Sequence, residues 1–158
     1  MVRILKARGF TNFTAQAGGD LYASGQRGDR KWRIGIRDPR GPPDRYFAIA
    51  EVADATFSTS GDYERSFMKN GRRYHHILDP ATGEPAMKSR SVTIMAPDAT
   101  TAEGLSKGVF ILGWEKGFEI VEKVPGAGAV VVDAHNQVHI SSRLSGKVKS
   151  LFEPTDAP

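Results

Sequence analysis

The stretch Asp98-Ala-Thr-Thr-Ala-Glu-Gly-Leu-Ser-Lys-Gly-Val-Phe-Ile-Leu-Gly113 is where the chain changes its hydrophobic period. Before it, apolar residues recur every second position, as in half-buried strands. From Thr101 to Leu112 the apolar positions Ala102, Leu105, Val109 and Leu112 recur at helical spacing. Asp98 or Thr100 can cap the start with a side-chain oxygen, and Gly113 can stop the end. A second helix is expected from Trp114 to Lys123, ahead of Pro125-Gly126. Strands, then two adjacent helices, then strands predict an α+β fold with an antiparallel or mixed sheet and both helices near the C-terminus.

Working upstream, Ser91 to Met95 reads as a strand, and Tyr63 to Phe67 and Arg72 to His76 as a pair joined across Lys69-Asn70-Gly71. Asn-Gly is a strong hairpin signal. Ala55 to Ser60, Tyr46 to Val52, Trp32 to Ile36, Leu21 to Ser24 and Phe13 to Ala17 are further strands, with a turn at Gln26 to Arg30 and a proline-rich loop at Asp38 to Pro43. Met1 to Phe10 reads as the end of an amphipathic helix stopped by Gly9, which hints at a preceding part. Downstream, Ala129 to Asp133 and Gln137 to Ser141 form a closing hairpin, and the residues from about Phe152 read as a frayed tail.

At 158 residues the chain fits a single domain, 1–158. Seventeen glycines and nine prolines argue for many turns and against a helical bundle. The formal charge of +4 is spread over scattered basic residues with no exposed aromatic row between them, unlike a nucleic-acid footprint. The absence of cysteine excludes disulfide and thiol chemistry, and no apolar run reaches the ~20 residues of a membrane helix.

Candidate chemistry concentrates in residues 59–85. His75 and His76 are adjacent on a strand and face opposite sides, so they cannot chelate one metal together. Spacing alone suggests one structural and one exposed histidine. Asp79-Pro-Ala-Thr-Gly-Glu-Pro85 is a tight turn in which Asp79 can bond its own loop amides. Gly18-Gly19-Asp20 reads as a bulge or strand crossing, or as backbone placed to approach a ligand. Thr59-Ser60-Gly61 can offer hydroxyls and amides to a phosphate, or be ordinary turn chemistry. No nucleophile triad and no zinc spacing is present, and no catalytic residue is assigned.

Taken in order, these motifs resemble the C-terminal half of the ApbE family, the FAD:protein FMN transferases. They are Ala17-Gly-Gly-Asp20, Trp32-x-Ile-Gly-Ile-x-x-Pro39, Ser58-Thr-Ser-Gly-Asp-Tyr63, His75-His-Ile-Leu-Asp-Pro-x-Thr-Gly-x-Pro85, Ser91-Val-Thr93, Ala96-Pro-Asp-Ala99 and Val109-Phe-Ile-Leu-Gly113. The resemblance implies FAD as substrate and Mg²⁺ as the family's cation. It also implies transfer of FMN through a phosphoester to a threonine of an acceptor protein. It places FAD-binding groups at His76, Ile77, Leu78 and Asp79. It places the family's metal-binding positions at Glu103, Ser106 and Lys107. There the family's pattern is Ala-Asp-x-x-(Asp or small)-Thr, so Glu103 is one methylene too long and Lys107 brings an ammonium where a cation should sit.

The resemblance also implies a first half, either preceding residue 1 or supplied by a second subunit. That half includes an Asp-x-x-Gly-x-Ala-Lys-Gly stretch with a magnesium-binding carbonyl. Family members are often exported, but no signal core or lipobox cysteine is seen, so the location is cytoplasmic by default and unknown if an upstream region was lost. Three functions are expected in turn: a truncated or divergent flavin transferase region, a non-catalytic flavin- or partner-binding domain, or a structural part needing its other half. Neither nucleic acid nor a membrane is an expected partner.

Overall fold

The computed structural model describes residues 1–157 of the chain. Helix α1 (Val2–Ala7) precedes strands β1 (Phe13–Ala17), β2 (Asp20–Ser24), β3 (Trp32–Arg37), β4 (Tyr46–Val52), β5 (Ala55–Gly61), β6 (Ser66–Lys69), β7 (Arg72–His75) and β8 (Ser89–Ala96). Helices α2 (Ala99–Leu112) and α3 (Trp114–Val121) follow, then β9 (Gly128–Asp133), β10 (Val138–Ile140), a 3-10 turn (Ser142–Leu144) and β11 (Val148–Ser150). The α+β expectation holds, with every strand pairing antiparallel.

Six strands form the central sheet in the order β1-β2-β5-β8-β9-β10, and β11-β4-β3 form a second sheet. Side-chain alternation splits the core between the two faces of the large sheet. Phe57, Met95, Val130 and Val132 pack with Phe47, Ala48 and Ile36 of the small sheet. Val92, Ile94, Ala129 and Val131 pack with Ala102, Val109 and Phe110 of α2 and Val121 of α3. The result is three layers: helices, large sheet, small sheet. Strands β8 and β9 are both buried on their two faces: β9 carries the apolar run Ala129 to Val132, whereas β8 alternates the small polar Ser91 and Thr93 with Val92 and Ile94.

The Asp98 carboxylate accepts the Thr101 N–H at 2.9 Å, settling the choice of N-cap for α2. Gly113 turns the chain from α2 into α3 at φ +85°, a conformation glycine adopts without strain. The two helices can lie close because residue 117 is glycine: a Cβ there would stand 2.7 Å from Val109 Cγ1.

Several sequence expectations need correction. The Gly18-Gly19 pair is neither a bulge nor a crossing but the two-residue turn of the β1–β2 hairpin, with Ala17 opposite Asp20. Thr59-Ser60-Gly61 is not a turn; it lies inside β5, where cross-strand pairing with β8 fixes it. The sixth strand begins at Ser66 rather than Tyr63, and α3 ends at Val121, two residues early. Strand β11 has no clear pattern in the sequence, since only three residues pair with β4.

The tail is tied down rather than frayed. Thr155 donates its hydroxyl at 2.7 Å and its N–H at 3.1 Å to Asp38, and Asp156 pairs with Arg90 at 2.9 Å. Phe152 lies under the Arg45 guanidinium, 4.3 Å from the ring centre. Asp38 is fully buried, so these donors replace the water its carboxylate gave up.

Candidate functional site

The β6–β7 hairpin turns at Asn70 and Gly71, both with positive φ (51° and 74°), as a two-residue primed turn requires. That register sets Phe67 opposite Tyr74, and their rings stack at 5.3 Å and 7°. Arg72 lies over Tyr74 on the same hairpin. Phe67 is 61% exposed, which is unusual for an ordered phenylalanine on a strand. The aromatic pair went unremarked as a site in the sequence. The Asn-Gly turn fixes which residues stand opposite, so the signal was present.

Beyond β7 the chain passes His75-His76-Ile77-Leu78. His75 is buried, and its Nε2 donates to the Ala86 carbonyl at 3.0 Å while its Nδ1 accepts the Ile77 N–H at 3.3 Å. A carbonyl only accepts and an amide N–H only donates, so the two bonds select one neutral tautomer. Burial, partly offset by the Ala86 carbonyl, lowers its pKa below the ordinary histidine value. The ring meets Phe110 of α2 edge-on at 5.6 Å, which ties this loop to the helix.

The turn that follows closes on itself. Asp79 N–H donates to Glu84 O at 2.8 Å, Gly83 N–H to Asp79 O at 2.8 Å, and the Asp79 carboxylate accepts the Ala81 N–H at 2.9 Å. Ala86 N–H returns to Ile77 O at 3.0 Å. The sequence-named residues therefore divide. Ile77 points into the helix-side core. Asp79 holds the turn. His76 is exposed and Leu78 half-exposed, and both border a 440 Å³ hollow with Phe67, Tyr74 and Glu84.

Glu103, Ser106 and Lys107 sit elsewhere, on α2 above β5. Ser58 and Ser60 alternate on the helix-facing side of β5. Ser106, fully buried, meets Ser60 Oγ at 2.9 Å and donates to the Glu103 carbonyl at 2.9 Å. Both Glu103 oxygens are engaged: Oε2 accepts the Ser58 hydroxyl at 2.7 Å and Oε1 accepts Lys107 Nζ at 2.7 Å. These two bonds lower the carboxyl pKa, the Lys107 bond most and the Ser58 bond next.

Magnesium does not fit this arrangement. It needs near-octahedral oxygen ligands. Here an ammonium already neutralises the one carboxylate, and the neighbouring hydroxyl of Ser106 is spent on Ser60 and the helix backbone. Among the described residues no group of three or more His, Cys, Asp or Glu gathers to hold a metal. Also among them, no helix is long and apolar enough to cross a membrane.

Comparison with known proteins places this geometry. The chain is 35% identical over 161 residues to the FAD:protein FMN transferase of Treponema pallidum, covering 96% of this chain and 44% of that protein. It is 37% identical over 115 residues to the protein of the same name from Haemophilus influenzae, covering 71% and 33%. The crystal structure of an ApbE protein from Thermotoga maritima superposes with a TM-score of 0.73 at 39% identity, over 90% of this chain and 45% of that one. The flavin transferase ApbE from Vibrio cholerae gives 0.76 at 29% identity, over 92% and 47%. The chain thus spans about half the length of the relatives it matches. The model of the ApbE family matches residues 1–131, and with the His75–Pro85 loop folded against α2 as described, the chain belongs to the ApbE family.

Proposed function

We propose that these residues form the loop wall and the α2 face of a flavin-transfer site, with FAD as substrate and a threonine of an acceptor protein receiving FMN as a phosphoester. The observation that carries this is the rigid display of His76 and Leu78 beside the exposed Phe67–Tyr74 stack. An exposed aromatic and apolar wall held by backbone hydrogen bonds suits a planar ring, and His76 supplies a polar edge. In this reading Leu78 packs against the flavin, Ile77 contributes only backbone, and Asp79 keeps the turn in shape. The rest of the site comes from a surface outside these 158 residues, from the same polypeptide or a second subunit.

Phosphoryl transfer is governed by positioning and by charge neutralisation at the diphosphate. No step is assigned here to magnesium, because the residues at the family's metal positions do not fit it. Lys107 offers the alternative: an ammonium can hold phosphate as a point charge. The Glu103–Lys107 pair equally favours a second reading, in which FAD is bound without being cleaved.

The test is to titrate the purified chain with FAD, with Mg²⁺ or with EDTA, following flavin fluorescence and released AMP. Binding that is insensitive to metal and weakened by Leu78→Ala is expected. Release of AMP in EDTA, with water taking the FMN phosphate in place of an acceptor threonine, supports pyrophosphate cleavage with Lys107 as the cation, and binding without AMP supports the second reading. Flavin fluorescence unchanged by the chain at any concentration would mean that the wall does not bind without the rest of the site, and Leu78→Ala without effect on binding once that part is supplied would remove the loop-wall assignment.

A further inference from the structure

Strands β6 and β7 pair only with each other, as a two-stranded sheet outside both larger ones. Their two-residue turn makes Lys69 and Arg72 the first hydrogen-bonded pair, and hydrogen-bonded and non-hydrogen-bonded pairs alternate from there. Phe67 with Tyr74 is the next hydrogen-bonded pair, which leaves Ser66 and Met68 at the other positions. The N–H and C=O groups of Ser66 and Met68 therefore point away from β7, toward the outer side of β6. Among the described residues they meet no other backbone group there. This open edge runs beside the flavin hollow, which Arg65 and Phe67 border.

The edge is basic. From Arg65 to Leu78 the chain carries Arg65, Lys69, Arg72 and Arg73 and no acidic residue. The register sets Lys69 directly opposite Arg72, like charges on one face. Arg72 is engaged by Glu84 at 3.1 Å and by the Tyr74 ring, and Arg73 donates to Ser66 Oγ at 3.2 Å. Arg65 and Lys69 are exposed, and among the described residues neither side chain makes an ion pair or a hydrogen bond. Glu64, the acid next to Arg65 in the chain, is taken by Arg37 at 3.1 Å. By strand alternation Lys69 shares a face with Phe67, so the exposed ring stands between two uncommitted cations.

We propose that the β6 edge receives the acceptor protein as an added β-strand, an extended segment with acidic side chains. The inference rests on the flavin-transfer reading in naming that partner. Such a segment would pair with the outward N–H and C=O groups of Ser66 and Met68, as strand addition does at other sheet edges. Its alternate side chains would fall on the face of Phe67, beside the hollow. Arg65 and Lys69 flank Phe67 at two residues on either side, so carboxylates spaced in the same way about a threonine would meet both cations. That threonine would lie at the rim of the flavin hollow, where the acceptor must come to receive FMN. The same cations repel a second copy of this edge, which carries the same charges.

The experiment is a titration of the ¹⁵N-labelled chain, without FAD, with a capped Glu-Val-Thr-Val-Glu peptide. Saturable shifts centred on β6 are expected, with hydrogen exchange slowed at the Ser66 and Met68 amides. The same peptide with glutamine for glutamate should bind about fivefold more weakly, as the loss of two exposed ion pairs allows. The double variant Arg65→Gln/Lys69→Gln, altered only at exposed side chains, should fold and lose that preference. A fully N-methylated peptide, with no N–H to give to the edge, should not bind. The inference is overturned by the absence of saturable shifts or by equal binding of the N-methylated peptide. It is equally overturned by a double variant that keeps the preference, or by Ser66 and Met68 amides already protected in the free chain. The FAD titration reads the flavin wall separately, so a peptide that fails where FAD binds strikes this inference alone.

Discussion

His75 supports the loop on which the candidate site depends, and its contribution can be worked out. Replacing it with alanine leaves the Ala86 carbonyl and the Ile77 N–H without partners in a buried setting, each costing ~1–3 kcal/mol. The lost edge-on packing against Phe110 adds ~0.5–1.5 kcal/mol. The total is centred on about 5 kcal/mol, which lowers the melting temperature of a chain this size by about 10–20 °C.

Acid tests the same residue without removing the ring. The folded-state pKa of His75 is lowered, chiefly by burial, so the unfolded chain binds the proton more readily. Its stabilisation is fully present above the unfolded histidine value near pH ~6.5, and it is lost as pH falls from there through the lower folded value. Protonation would put an N–H against the Ile77 N–H, and the 76–79 segment would lose its anchor. Melting curves from pH 7.5 to 5 for the wild type and His75→Gln should therefore diverge, with the wild type falling more steeply. The difference between them isolates His75 from His76, His135 and His139. Parallel curves would refute the argument, as would a His75→Ala protein that melts within a degree or two of the wild type.

Other consequences follow from the buried ion pairs and from α2. Asp62→Ala leaves the buried Arg40 guanidinium unpaired and should cost ~3–5 kcal/mol, read from the urea midpoint; a loss below ~1 kcal/mol would show that the pair is not what holds this region. Burial alone would raise the Asp38 pKa, but the Thr155 hydroxyl, the Arg40 and Thr155 amides and Arg45 together hold it below its usual value. Its stabilisation is therefore present above pH ~3.9 and lost as pH falls through the folded value. Thr155→Val should cost ~1.5–3 kcal/mol near neutrality and shift the acid-unfolding limb to higher pH; an unmoved limb would mean the tail does not stabilise that carboxylate. Glu103→Asp combined with Lys107→Thr should create or strengthen Mg²⁺-dependent FAD cleavage, measured as AMP release. No gain would show that these two positions do not by themselves decide metal use.

The change of hydrophobic period at Thr101, the Asn70-Gly71 turn and the alternation in β3 and β4 are local patterns. Each depends on residues a few positions apart, and so the α+β class and most elements were legible from the chain alone. The His75–Pro85 loop was legible for the same reason, since its Gly, Pro and Asp residues set their own backbone. The division of labour within it was not: His75 and Ile77 turn inward because Ala86 and Phe110 are there to receive them. Period-two alternation also cannot say what a strand will face, so Thr59-Ser60-Gly61 was open to turn chemistry and the face of Ser58 stayed undecided until α2 brought Glu103 and Ser106 above Ser58 and Ser60. The frayed look of the tail failed similarly, because its partner Asp38 lies 117 positions away. Local sequence determined which elements form. Tertiary structure alone decided which polar groups meet, because a buried charge or hydroxyl is stabilised only by partners that long-range packing brings within hydrogen-bonding distance.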